Sequence, residues 1–432
     1  MPDVILAPRN KEEVAQVVQV CAENKIPIVP RGSGTNLSAG TSPSNGGAVL
    51  LFKNMNRILE LDEENLTVTV QPGVITKTLI DYVEGESLFY PPDPSSLKIS
   101  TIGGNISENS GGLRGLKYGV TKDYVLGLEA VLPNGKIIRT GGKLAKDVAG
   151  YDLTSLLVGS EGTLAVITEA TLRLIPKPSY KETILAMFKT LEDAAETVSA
   201  ILAARIIPTT LEFMDQGTIQ VMEDYKQIGL PTDCEAVLLI EQDGAIETVV
   251  KDIERIYQIC SNYGAIDVQK AETEEEAEDL RSARRDALSA LARLRPTTIL
   301  EDATVPRSKI APMVREITRI AEKYNVTIRT FGHAGDGNLH PTCLTDIRDK
   351  EEMERVEQAF EEIFYASIDL GGTITGEHGV GEMKAPYLEW KIGKAGIQVM
   401  TAIKEVLDPH NIMNPGKVFA KSTKERLVMA NV

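Results

Sequence analysis

Histidine is scarce in this chain, four among 432 residues, and cysteine is equally rare. The cysteines, Cys21, Cys234, Cys260 and Cys343, show no CxxC spacing, which argues against an iron–sulfur cluster and against a disulfide framework. Buried, reduced thiols in a cytoplasmic protein are the simpler expectation. An excess of basic charge is also missing: 46 Lys and Arg face 62 Asp and Glu, a formal net charge of −16. With no basic run interleaved with aromatics, nucleic acid and anionic lipid are set aside as partners. No stretch reaches the roughly 18 apolar residues of a membrane-spanning helix. The opening "MPDVILAPRNKEEVAQVV" lacks the basic and apolar segments of a signal peptide. Two or three domain-sized units are expected from the length, with no solenoid repeat or low-complexity tract among them.

What is present reads as two textures. Residues 4–31 predict strand, helix and strand, with Val14, Val17, Val18 and Cys21 on one helical face. "GAVLLF" and "LTVTVQPG" follow as strands, their alternation suggesting half-buried ones. Asn134-Gly135 between two apolar runs predicts a hairpin. "GYDLTSLLVGSEGTLAVITEATLRLIP" reads as a short helix, a turn and a closing strand. Two prolines in "LIPKPSYKE" mark a boundary near residue 178. Beyond it, "CEAVLLIEQDGAIETVVKDIERIYQICSNYGAIDVQK" predicts strand–helix–strand with Val249, Ile253, Ile256 and Cys260 on one face. "ETEEEAEDLRSARR" predicts a helix with acids at its start and arginines at its end, the polarity a helix dipole favours. "MVREITRIAEKYNVTIRTFG" and "EEMERVEQAFEEIFYASIDLGGTITG" predict two further helix–strand units. Residues 180–400 therefore predict an antiparallel sheet covered by helices.

Both common nucleotide fingerprints are absent: Leu37 stands where the third glycine of GxGxxG belongs, and GxxxxGK[ST] does not occur. Yet "PRGSGTNLSAG", "TIGGNISENSGG" and "VGSEGTL" are three loops of small and hydroxylated residues. Any one alone is ordinary turn chemistry. Three together point to a large phosphate-bearing cofactor cradled by backbone N–H groups.

These loops, with "PPDPSSLKISTIGGNISENSGGLRGLKYG", "LRSARRDALSAL", "EDATVPRSKI", "FGHAGDGNLH", "GTITGEHGVG" and "NIMNPGK", resemble the FAD-linked oxidases of the vanillyl-alcohol-oxidase superfamily. Within it they look like the branch of D-lactate dehydrogenases and glycolate oxidase catalytic subunits, along almost the whole chain. The resemblance implies an α+β, two-lobed flavoprotein. Its FAD-binding domain would span 1–178 and be completed by about 405–420, with an α+β substrate-binding cap over 179–404.

The resemblance also implies roles. Arg31, Gly32, Ser33, Gly34, Thr35 and Asn36 would wrap the FAD pyrophosphate. Pro92, Asp93, Ser95, Thr101, Gly103, Gly104, Asn105 and Ser107 would line the ring and diphosphate, with Gly111, Gly112 and Tyr118 in the same wall. Glu161, Gly162, Thr163 and Ile167 would approach the adenosine end, and Asn414 would return to the flavin. Some relatives tether FAD through a histidine in the first loop. No histidine precedes His333 here, so FAD is expected to be noncovalent.

Two of the four histidines, His333 and His340, bracket "HAGDGNLH". Glycines make a helix implausible there. A reversal at "GDGN" inside an extended segment would instead fold the two imidazoles together. "GEHG" adds Glu377 and His378, which point to opposite sides if the chain is extended. Two imidazoles and one carboxylate make a three-ligand set with open positions, as expected of a catalytic metal. The alternative is a hydrogen-bonded histidine pair in a polar loop. His410 reads as a turn residue.

By resemblance, His333, His340 and Glu377 would bind a divalent metal (zinc, iron or manganese), and His378 would be the general base. Asn338 would touch substrate or support the metal, and Arg284 would meet the substrate carboxylate, with Arg281 and Arg285 close rivals and a solvated helix end the alternative. The expected reaction is oxidation of a small D-2-hydroxy acid to the 2-oxo acid, D-lactate first and glycolate second. Relatives acting on 2-hydroxy-dicarboxylates carry a lysine just before "EDATVP", where this chain has Ile299 and Leu300. Other readings are a dicarboxylate oxidation, a non-redox flavoenzyme of ether-lipid synthesis, or a noncatalytic subunit. Relatives also carry a few dozen residues before the point matching Pro2, so the start is expected to be naturally short or removed. Electrons would leave to an electron-transfer flavoprotein, an iron–sulfur subunit or a quinone. A cytoplasmic location follows, with membrane contact only through a partner.

Overall fold

In a computed structural model, which describes residues 1–419, the chain divides into two compact units. Of the described residues, one comprises 1–111, 120–177 and 377–419; the other comprises 112–119 and 178–376.

The first unit begins as the sequence predicts. The Asn10 side chain accepts the Glu13 N–H at 2.8 Å and so starts the helix Lys11–Asn24. Lys25, at φ 55°, ends it. Val14, Val18 and Cys21 are buried and Val17 half-buried, packed with Ile28, Leu50, Ile412 and Met413. A three-stranded parallel sheet stands behind this helix, with Ala48–Leu51 between Val4–Leu6 and Ile28–Arg31. The C-terminal return joins it, because Asn414 N–H donates to the Ile28 carbonyl at 2.7 Å.

A five-stranded antiparallel sheet completes this unit, in the order Ile58–Asp62, Thr67–Val70, Val166–Arg173, Val125–Val131, Ile137–Gly141. The Asn134-Gly135 hairpin forms, with Gly135 N–H donating to the Leu132 carbonyl. The expectation of half-buried alternation is corrected for both strands: Ala48, Val49 and Leu50 are buried, as are all four residues of Thr67–Val70. Thr67–Val70 lies between two partner strands, and the Thr69 hydroxyl pairs with that of Thr171 at 3.3 Å.

The second unit is an antiparallel sheet with helices. Its strands run Ala265–Lys270, Tyr180–Phe188, Ala236–Gly244, Thr210–Asp215, Ile328–His333, Asn338–Thr345, Thr297–Leu300, and the short Ala303–Thr304 also pairs with Asn338–Thr345. Helix Ile246–Asn262 buries Val249, Ile253, Ile256 and Cys260 as predicted.

Two expectations change here. The helix Glu274–Leu291, capped by Thr273, runs past its arginines, because "DALSAL" continues the apolar face. Arg281 and Arg284 therefore sit mid-helix and buried, not at a solvated end. The long helix Lys350–Asp369 leads into turns rather than a strand, with a single bridge between Thr304 and Thr373. All four cysteines are buried and unpaired with one another. Among the described residues, no helix is long and apolar enough to cross a membrane.

Candidate active site

"HAGDGNLH" folds as a β-hairpin in the second unit. Strands Ile328–His333 and Asn338–Thr345 pair antiparallel, with Phe331 opposite His340 and His333 opposite Asn338. His333 and His340 are thus diagonal neighbours on one face, the position from which side chains meet. Their rings lie 5.1 Å apart, edge to face, and both are buried.

Each imidazole backs onto a carboxylate. His333 Nδ1 lies 2.7 Å from Glu212 Oε1, and His340 Nδ1 lies 3.2 Å from Asp302 Oδ1. Strand pairing explains the first contact: Phe213 stands opposite Gly332, which sets Glu212 beside His333. Asp302 is itself held, since its Oδ2 accepts the Thr375 hydroxyl at 2.9 Å and the Gly376 N–H at 3.0 Å. Carboxylates beside ring nitrogens are the usual support of metal-binding histidines, fixing tautomer and ring orientation. That is the chemistry of a metal-binding pair, and the donor set fits one.

Glu212 also faces Arg284, with Nε 2.6 Å from Oε2. Burial pushes the Glu212 pKa up, but the charges of His333 and Arg284 outweigh it and hold the carboxyl below its ordinary value. Arg284 lies over the Phe331 ring at 4.7 Å and is 1% exposed. Among the described residues, its buried Nη2 has no hydrogen-bond partner. An unpaired guanidinium N–H in a dry site is costly unless an anion meets it. Asn338 accepts the Thr304 hydroxyl through Oδ1 at 2.7 Å, which leaves its amide nitrogen to donate elsewhere.

In the first unit, the loop from Arg31 to Asn36 lies against the start of helix Ile102–Glu108. Thr101 caps that helix, accepting the Gly104 N–H. Position 32 must be glycine, because a Cβ there would overlap the Thr101 hydroxyl. Asn36 accepts the Thr41 hydroxyl through Oδ1, while its buried Nδ2 has no partner among the described residues. Asn414 donates to the Gly40 and Glu161 carbonyls at 2.8 and 2.7 Å, tying the returning chain to two of the glycine loops.

Comparison with known proteins decides what this frame is. Residues 177–418 match the model of FAD linked oxidases, C-terminal domain, and residues 2–141 match that of an FAD binding domain. The chain belongs to the FAD-linked oxidases. It is 68% identical to glycolate oxidase subunit GlcD of Bacillus subtilis (strain 168), over 99% of this chain and 91% of that one. It is 38% identical to D-lactate dehydrogenase of Anaerostipes hadrus, over 97% and 90% respectively. Its fold is similar to that of p-cresol methylhydroxylase with substrate bound, at a TM-score of 0.79, 19% identity, and coverage of 96% and 88%. The resemblance to flavoproteins of the vanillyl-alcohol-oxidase type, and to the branch of D-lactate dehydrogenases and glycolate oxidases, is borne out.

As an FAD-linked oxidase this protein is a flavin oxidoreductase with an FAD-binding domain in its first unit. The cradle fits the cofactor: glycine without room for a Cβ, and the unpartnered Asn36 amide as a buried donor for an anion. Other residues singled out for FAD spend their polar atoms within the protein. Asn105 donates to the Thr76 hydroxyl, Ser107 to the Gly103 carbonyl and Thr163 to the Ser160 carbonyl. Pro92 and Asp93 are buried and Ser95 is exposed. Gly112 and Tyr118 fall in the second unit, where Tyr118 donates to the Asp243 carboxylate at 2.9 Å. Glu377 and His378 lie in the first unit, Glu377 beside Gly111. His410 is exposed in a turn.

Sequence reasoning missed Glu212 and Asp302 as supports of the histidines. The only signal for Glu212 was an acid inside the apolar strand "TLEFM"; its partner His333 is 121 residues away.

Proposed function

We propose that this chain oxidises a small 2-hydroxy monocarboxylate to the 2-oxo acid, using noncovalent FAD and one divalent cation held by His333, His340 and Glu377. The observation that carries this reading is the pair of imidazoles 5.1 Å apart, both backed by carboxylates through Nδ1, beside a buried arginine with an unpartnered nitrogen. Glu377 follows directly on Gly376, whose N–H is bonded to the same Asp302 that backs His340.

When bound, FAD supplies the hydride acceptor and the cation supplies the Lewis acidity that lowers the substrate hydroxyl pKa. The residues do the rest. Arg284 Nη2 donates to the substrate carboxylate, and its pairing with Glu212 keeps the guanidinium from rotating away. The Asn338 amide donates to the same end of the substrate. His378 takes the hydroxyl proton. Two nitrogens and a carboxylate oxygen suit zinc, iron or manganese.

Glycolate is the first substrate and D-lactate the second. The sequence alone ranks D-lactate first; 68% identity to a glycolate oxidase subunit against 38% to a D-lactate dehydrogenase reverses the order. Ile299 and Leu300, where dicarboxylate oxidases carry a cation, disfavour a second carboxylate. The relative from Bacillus subtilis is called a subunit, which supports transfer of electrons to a separate acceptor, an electron-transfer flavoprotein, an iron–sulfur subunit or a quinone.

Turnover with an artificial acceptor tests the substrate class. Glycolate is expected to give the highest kcat/KM, followed by D-lactate, with D-2-hydroxyglutarate far behind. A dicarboxylate that outruns both would refute the monocarboxylate assignment.

A further inference from the structure

We infer that Glu161 is a positioning residue for His378, a role that rests on His378 being the base proposed above. Its carboxylate grips the backbone just after that histidine. Oε1 accepts the Val380 N–H and Oε2 the Gly381 N–H, each at 2.7 Å. On the other side, the His378 carbonyl accepts the Ser38 hydroxyl at 2.8 Å, and the Ser38 carbonyl accepts the Glu382 N–H at 3.0 Å. Residues 378–382 are thus pinned at four points within the first unit. Gly381 lies so close that a Cβ there would overlap the Ser38 carbonyl.

Glu161 is placed for this task at a cost. It is buried, and its φ of 52° puts a non-glycine residue in the left-handed region, where L-residues lose about 1–2 kcal/mol. The conformation is held from both ends: its N–H donates to the Ser107 carbonyl at 2.9 Å, and its carbonyl accepts the Asn414 amide at 2.7 Å. Burial holds the Glu161 pKa above its ordinary value, and the two N–H groups offset only part of that rise. A glutamine could accept only one of those N–H groups and would turn its own amide hydrogens on the other. A carboxylate with two acceptors is the side chain that the two-point grip requires.

Such a grip fixes where the imidazole starts from. General-base transfer is sensitive to placement: a shift of about 1 Å costs roughly 10²-fold in rate. Neither the carboxylate nor Ser38 needs to touch substrate to have this effect.

The test is the rate of flavin reduction by glycolate in anaerobic stopped flow, measured across pH with flavin content recorded for each variant. Glu161→Gln is expected to keep its FAD, slow reduction about 10²-fold with little change in KM, and distort the limb of the pH profile that the base governs. His378→Asn is expected to slow it at least as much, and the double variant no further, because both changes remove one function. Ser38→Ala, a smaller change that serves if Glu161→Gln fails to fold, is expected to slow reduction severalfold and to be equally silent on top of His378→Asn. Loss of FAD in proportion to activity, or effects that multiply in the double variants, would overturn the inference while leaving the base in place. Full-rate reduction by His378→Asn would overturn the base assignment and this inference with it.

Discussion

The carboxylate of Glu212 spans two partners: Oε1 is 2.7 Å from His333 Nδ1 and Oε2 is 2.6 Å from Arg284 Nε. One buried acid therefore faces both the imidazole proposed to bind the metal and the guanidinium proposed to bind the substrate carboxylate. Glu212→Gln removes the charge and presents a donor to one partner. Metal affinity is expected to fall about 10–100-fold, the usual loss when such a supporting carboxylate is removed. Metal content after titration with a chelator checks this, with flavin content as the control. Unchanged metal retention would contradict the role given to Glu212.

Arg284 is expected to act on binding more than on the chemical step. Arg284→Lys keeps a charge but not a fork, so a lysine cannot face Glu212 and the substrate carboxylate together. Losing one hydrogen bond between charged groups costs about 1.5–3 kcal/mol, so kcat/KM for glycolate should drop roughly 10- to 150-fold, chiefly through KM. A variant with normal KM would move the carboxylate site elsewhere, Arg281 being disfavoured because Glu241, Glu274 and Glu278 already occupy it.

Stability of the first unit should hinge on Lys404. Its ammonium donates to the Thr163 and Met413 carbonyls at 2.7 and 2.8 Å and pairs with Asp408. Asp408 in turn accepts the Ile412 and Met413 N–H groups at 3.0 and 2.8 Å. Lys404→Met strands a buried carboxylate, which typically costs about 3–5 kcal/mol. Lys404→Met/Asp408→Asn should recover part of it. Urea unfolding of the three proteins measures both effects, and a single variant as stable as the parent would contradict the reading.

Much of this was legible locally. A hairpin follows from Asn134-Gly135, and the glycines of "HAGDGNLH" force a reversal that brings two imidazoles together. Helical faces followed from 3.6-residue spacing, as with Val249, Ile253, Ile256 and Cys260. What failed was whatever depends on distant partners. Nothing near Glu212 in sequence announces His333 or Arg284: strand pairing sets the first beside it, and a helix far along the chain carries the second. The sequence places the arginines at the end of this helix, whereas Arg281 and Arg284 sit inside it because it continues to Leu291. Thr67–Val70 likewise pairs along one edge with a strand far along the chain, Val166–Arg173, which nothing nearby in sequence announces.

The central claim is that a cation held by His333, His340 and Glu377 readies a small hydroxy acid for oxidation. The most direct measurement mixes anaerobic holoprotein with glycolate, before and after chelation, while following the oxidised-flavin absorbance. Rapid bleaching that chelation abolishes and added metal restores is predicted, and His340→Ala should keep its yellow colour with FAD still bound. Bleaching at the same rate in the metal-free protein or in His340→Ala would contradict the account.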